Sequence, residues 1–147
     1  YTRERGPQAE EIKRFLEALH SLFANPFFAS VPERLLLSIL PQITIEDFAA
    51  GDTVIKQGDT GDKFYLIKDG IVDVIDEDGD QPNTVAQLRR GDYFGEIALL
   101  RDIPRTKTIR CVTDTQLLVL RQDTFRHVVD NNLIFARNIE HVAKAHL

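Results

Sequence analysis

Phe64-Tyr65-Leu66-Ile67-Lys68-Asp69-Gly70-Ile71-Val72-Asp73-Val74-Ile75-Asp76 decides the fold: two short runs of β-branched, aromatic and aliphatic residues meet at a glycine preceded by aspartate. Runs of this length are strand-sized, and an Asp-Gly pair between them predicts a tight turn with positive φ at the glycine. The same pattern extends in both directions. Residues 45–48, 53–56, 64–68, 72–76, 85–88, 108–112 and 117–120 form comparable runs. Gly51, Gly58, Gly61, Gly70, Gly79 and Gly91 fall between them, most beside an aspartate, and each is expected to supply the positive φ of a turn. Strands spaced this regularly predict a mainly β domain, a sandwich or a jelly-roll barrel.

On either side of the β region the apolar period changes to that of a helix. Ile12, Phe15, Leu16, Leu19, Leu22 and Phe23 recur at steps of three and four, which predicts an amphipathic helix over residues 9–23. Pro26 interrupts it, Pro32 opens a second short helix running to residue 40, and Pro41 stops that one. Phe27 and Phe28 between them read as packing of a helical turn. After Asp123, Phe125, Val128 and Val129 mark one helix, and Leu133, Phe135, Ile139 and Val142 another. The expected organisation is one domain: an N-terminal helical segment 1–42, a β region 43–122 and C-terminal helices 123–147.

Composition narrows the function classes. A chain of 147 residues, 43% hydrophobic and 28% charged, forms one domain that buries roughly two-thirds of its unfolded surface. Eighteen Lys and Arg against 23 Asp and Glu leave a net charge of -5, which disfavours broad attraction to nucleic acid or to an anionic membrane. A bound anion must therefore be held locally. Cys111 is the single cysteine, so no disulfide forms within the chain, and a reducing, cytoplasmic compartment is expected. No run approaches the roughly 18 apolar residues of a membrane span, and no signal-peptide pattern opens the sequence. A chain that begins at Tyr1 and contains no Met is expected to be a piece excised from a longer protein.

The chemistry concentrates between residues 94 and 109, where the strands are interrupted. Arg101, Arg105, Lys107 and Arg110 stand against Asp102 alone from residue 101 to 110, reversing the global charge. Gly95 admits close backbone approach. Ile97-Ala98-Leu99-Leu100 has the length of one helical turn whose free N–H groups suit a phosphate. Arg105 offers a planar, bidentate clamp on two phosphate oxygens, and the Glu96 carboxylate suits a ribose hydroxyl. Spacing alone leaves the alternative open: an Arg and a Glu beside a turn are more often a surface pair worth roughly 0–1 kcal/mol.

Phe94-Gly95-Glu96, the apolar residues that follow, and Pro104-Arg105-Thr106 resemble the phosphate-binding cassette of the cyclic nucleotide-binding domain family. Gln57-Gly58-Asp59-Thr60-Gly61-Asp62-Lys63-Phe64-Tyr65-Leu66-Ile67, with Gly70, resembles that family's earlier glycine-bearing hairpin, and with the flanking helices the likeness covers essentially the whole chain. The segment 92–100 is especially similar to regulatory subunits of cAMP-dependent protein kinase. The resemblance implies an eight-stranded β jelly-roll barrel with an N-terminal helical segment and C-terminal capping helices. It also implies a non-catalytic sensor of cAMP or cGMP that uses no cofactor or metal. Arg105 and the Ala98 amide would take the ring phosphate, Glu96 the ribose 2′-hydroxyl, and Gly95 would allow close approach. Phe94, Ile97, Pro104 and Thr106 complete the cassette, Ala86 and Leu88 form an apolar wall, and Phe135, Ile139 or Val142 caps the base. The C-terminal helix would swing on binding and signal to an attached or associated effector such as a kinase, channel or transporter, with no contact of this fragment to nucleic acid and no membrane insertion. Thr106 after Arg105 resembles cGMP-binding members while the cassette as a whole resembles cAMP-binding ones, so both ligands stand. Lys107 occupies a position where the family usually has a small residue. Strand alternation favours an outward side chain there over one adding charge to the phosphate site.

Other classes fit less well. A metal-dependent barrel enzyme needs ligands on strands, whereas His20, His127, His141 and His146 all fall on predicted helices. Cys111 lies in an apolar strand with no neighbouring histidine, which suits a buried thiol rather than a nucleophile. A transcription regulator would need recognition helices after the capping helix, for which these residues leave no room, and the acidity of the fragment disfavours DNA contact, so such a module is expected only in missing sequence. The remaining alternative is an interaction domain of the same fold that has lost its ligand, and the presence of both Glu96 and Arg105 argues against it.

Overall fold

The computed structural model describes residues 10, 13, 16, 20, 31–101, 103–132 and 136–137, and the side chains of Ile97, Ala98 and Leu100 are not among what it describes. Helix α1 (Glu33–Ile39) leads through a 3-10 turn (Leu40–Gln42) into β1 (Thr44–Phe48), β2 (Thr53–Ile55), β3 (Lys63–Asp69), β4 (Ile71–Asp76) and β5 (Asn83–Arg89). Strand β6 (Tyr93–Phe94), helix α2 (Glu96–Arg101), strands β7 (Thr108–Cys111) and β8 (Thr115–Arg121), and helix α3 (Gln122–Asp130) follow. Pro32 caps α1 and Pro41 sits in the 3-10 turn, so the two prolines bracket the helix as their fixed φ requires.

The eight strands form two four-stranded antiparallel sheets, ordered β1-β8-β3-β6 and β2-β7-β4-β5. This is the mainly β, jelly-roll architecture expected from the spacing of the strands. Sequence periodicity misses β6, because two residues are too few to show a period. The β3–β4 turn places Gly70 at φ 113°, and a side chain there would collide with Thr115 Oγ1 and the Asp114 carbonyl. Gly51, Gly58 and Gly91 also have positive φ, but Gly61 and Gly79 do not, contrary to the expectation for all six.

Strands β3 and β8 explain why their sequences are continuously apolar. Both lie between two cores, so both faces are buried. Phe64, Leu66, Leu118 and Leu120 pack outward with Leu36 and Ile39 of α1, Leu99 of α2, and Phe125 and Val128 of α3. The alternate residues Tyr65, Ile67, Leu117 and Val119 face the other sheet, with Ile55, Val72, Phe94, Ile109 and Cys111. Phe64 and Phe125 stack with ring centroids 4.9 Å apart. The helical core thus joins α1, α2 and α3 through one sheet face. Arg126 Nη2 of α3 also donates to the Leu99 carbonyl of α2 at 3.1 Å. Leu16, part of the predicted N-terminal apolar stripe, is exposed. Among the described residues no helix is long and apolar enough to cross a membrane.

Candidate functional site

The site forms where β6 turns into α2. Gly95, at φ 95°, makes that turn in a conformation that L side chains rarely adopt. Space adds a second restriction: a Cβ on Gly95 would lie 3.0 Å from the Lys63 carbonyl oxygen and 3.1 Å from Arg105 Nη1.

Arg105 is held by main chain and side chain alike. Its carbonyl accepts from the Gly58 N–H at 2.9 Å and its N–H donates to the Asp59 carbonyl at 2.8 Å. Its Nη1 donates to the Gly95 carbonyl at 2.9 Å and its Nη2 to the Lys63 carbonyl at 2.8 Å. The residue is 7% exposed. Burial lowers its pKa from the ordinary arginine value, and the fields of Tyr65, Asp62 and Glu96 oppose that shift. Among the described residues no carboxylate lies within ion-pair distance of the guanidinium. A cation so buried and bonded to neutral carbonyls leaves further N–H donors for an anion.

Beside Arg105 opens a cavity of about 240 Å³. Ile55, Val74, Ala86, Leu88 and Ile109 supply its apolar wall, and Arg105, Thr106 and Lys107 its polar end. Phe94 lines it too and stacks on Tyr65, centroids 5.0 Å apart and planes 13° from parallel. The Tyr65 phenol is pushed above its ordinary pKa by burial, against the opposing charge of Arg105. The arrangement suits a ligand with an apolar, planar body and one anionic group.

Of the residues singled out from the sequence, Phe94, Gly95, Arg105, Thr106, Ala86 and Leu88 line this cavity. Glu96 does not line it. Glu96 is the first residue of α2, adjoins Gly95 and is only 1% exposed. Ile97 and Ala98 contribute backbone to the first turn of α2, and Pro104 is exposed. Phe135, Ile139 and Val142 lie outside the described residues. Lys107 departs from expectation: it precedes β7 in a bend, where strand alternation does not operate, and it lines the cavity, half-buried. Sequence reasoning missed Ile55, Val74, Val85, Tyr93 and Ile109 as lining residues. Each lies in a strand run or next to the cassette, and which face of a strand meets a cavity depends on the partner sheet.

A family model described as "Cyclic nucleotide-binding domain" matches residues 45–132. The chain is 42% identical over 121 residues to a cAMP-dependent protein kinase regulatory subunit of Emericella nidulans, covering 82% of this chain and 28% of that protein. It is 33% identical over 138 residues to potassium/sodium hyperpolarization-activated cyclic nucleotide-gated channel 2 of Mus musculus, covering 94% of this chain and 15% of the channel. The chain therefore spans less than a third of the length of either relative. Among solved structures it resembles the regulatory domain of Toxoplasma gondii PKA with cAMP, with TM-score 0.73, 26% identity, and coverage of 79% of this chain and 44% of that one. The match of the family model across both sheets and the cassette, with these relatives behind it, makes the chain a member of the cyclic nucleotide-binding domain family.

Proposed function

We propose that this chain is a non-catalytic sensor that binds a 3′,5′-cyclic nucleotide, cAMP or cGMP, in the cavity beside Arg105 and passes the binding energy to an attached effector in the cytoplasm. One observation carries the reading: the guanidinium of Arg105, a residue only 7% exposed, is bonded to the Gly95 and Lys63 carbonyls and stands at the polar end of an otherwise apolar cavity. The ring phosphate takes the remaining Arg105 donors in a charge-assisted pair, with the Ala98 N–H in the first turn of α2 as a second donor. The base lies against Ala86, Leu88 and Val74, and Glu96, next to the cavity-lining Gly95 though not itself in the lining, accepts from the ribose 2′-hydroxyl. Phe135, Ile139 or Val142 closes over the base.

The packing also supports transmission. Leu99 of α2 shares one buried cluster with Leu36 and Ile39 of α1 and with Phe125 and Val128 of α3. The Arg126–Leu99 hydrogen bond ties α3 to the cassette helix directly. A ligand that shifts α2 must therefore repack α1 and α3 against it, and the size of the effect is limited by its differential affinity for the two arrangements. Relatives with the names of a kinase regulatory subunit and a channel support an effector of such a kind.

The test is calorimetric titration of the domain, stripped of carried-over ligand, with cAMP, cGMP and 5′-AMP. One-to-one binding of a cyclic nucleotide with 5′-AMP much weaker is the expected result. Absence of binding by a folded sample would replace this reading with an interaction domain of the same fold that has lost its ligand.

A further inference from the structure

We propose that Gly61 is a positioning residue for the Arg105 guanidinium, a glycine retained for the space it leaves rather than for its backbone freedom. The inference rests on the reading of Arg105 as the phosphate-binding cation. Five described glycines, Gly51, Gly58, Gly70, Gly91 and Gly95, have positive φ, and Gly61 is not one of them. An alanine at this position therefore meets no left-handed strain. Its Cβ meets Arg105 instead, overlapping Nε, Cζ and Nη2.

A flexible arginine tip would step aside at little cost, but this tip is fixed. Nη1 is bonded to the Gly95 carbonyl at 2.9 Å and Nη2 to the Lys63 carbonyl at 2.8 Å. The Arg105 main chain is paired with the same loop through the Gly58 N–H and the Asp59 carbonyl. A methyl on Gly61 fits only if the guanidinium gives up one or both carbonyl bonds and moves. Gly61 does not touch the apolar cavity. It lines a separate polar hollow of about 170 Å³ bounded by Asp59, Thr60, Asp62 and Lys63, and Arg105 borders both spaces. Ile55 also borders both spaces, but the three atoms nearest a Gly61 Cβ all belong to Arg105, so Gly61 acts on a ligand through Arg105.

The experiment is a double-mutant cycle of Gly61→Ala and Arg105→Ala, read by calorimetry with cAMP or cGMP, whichever binds, by calorimetry with the matching neutral nucleoside, and by thermal unfolding. G61A is expected to lower cyclic nucleotide affinity by about tenfold to a hundredfold through misplacement of the cation, and to leave nucleoside affinity unchanged. In the R105A background it is expected to cost neither affinity nor melting temperature, because the overlapping atoms are gone. Three results overturn the proposal: unchanged cyclic nucleotide binding by G61A, equal loss of nucleotide and nucleoside, or an additive loss in the double variant. If G61A alone fails to fold, the double variant decides, since its failure would show that the backbone requires glycine. If the unmodified chain binds no cyclic nucleotide, the proposed function falls while the thermal cycle still settles the coupling: a melting loss from G61A confined to the Arg105 background upholds it.

Discussion

Arg105 Nη1 donates to the carbonyl of Gly95 at 2.9 Å, so the cation of the cassette is bonded to the residue that turns the chain into the cassette helix. Position and charge are thereby linked: whatever moves the guanidinium moves the entrance to α2. Arg105→Ala is expected to weaken cyclic nucleotide binding by about 2–5 kcal/mol, since a buried phosphate loses its charged partner. Titration calorimetry of the folded variant measures this, and an unchanged dissociation constant would remove Arg105 from the site.

Gly95→Ala tests the same link from the other side. The residue has φ 95° and its Cβ would approach the Lys63 carbonyl oxygen to 3.0 Å. Strain and crowding together are expected to cost about 1–3 kcal/mol. Urea unfolding reads the loss as a lower midpoint at unchanged slope.

Glu96→Gln keeps the shape of a side chain that is 1% exposed while removing its charge. The unmodified domain is expected to prefer a ribose ligand over its 2′-deoxy analogue by about 1–3 kcal/mol, and the variant to lose most of that preference. Equal affinity of the unmodified domain for both ligands would rule out the hydroxyl contact.

Lys107 lines the same cavity as Arg105 and is half-buried. A second cation there makes binding of an anion salt-dependent. Lys107→Ala is expected to reduce cyclic nucleotide affinity by about 0.5–1 kcal/mol at low ionic strength and by less as salt is added. Affinity for the neutral nucleoside should not change, and titrations at two salt concentrations separate the cases.

Burial, with the negative fields of Glu96 and Asp92 adding to it, raises the Tyr93 phenol above its ordinary pKa of 10.0. The folded state therefore keeps this proton at pH values where the unfolded chain has lost it. The contribution to stability is full below about pH 10 and is lost as pH rises through the raised folded value. Urea midpoints measured across that range should fall more steeply for the unmodified domain than for Tyr93→Phe.

Sequence by itself determined every strand except the two-residue β6, because strand propensity, alternation and Asp-Gly turns act over a few residues. The runs at 64–68 and 117–120 announced strands and Gly70 announced its turn, while the burial of those two strands on both faces came from the structure. The order of chemistry-bearing residues from Phe94 to Thr106 was equally legible, since they are contiguous. Tertiary structure alone decided what depends on residues far apart in the chain. Gly61 looked like one more turn glycine, yet its backbone is ordinary and its missing Cβ makes room for the Arg105 side chain. Lys107 was expected to point outward by strand alternation, but the strand begins one residue later and the bend leaves it lining the cavity. Ile55, Val74 and Ile109 became cavity wall only because β2, β4 and β7 pair in one sheet. Local periodicity states which side chains share a strand face, but only the packing of the second sheet and the cassette states what that face meets.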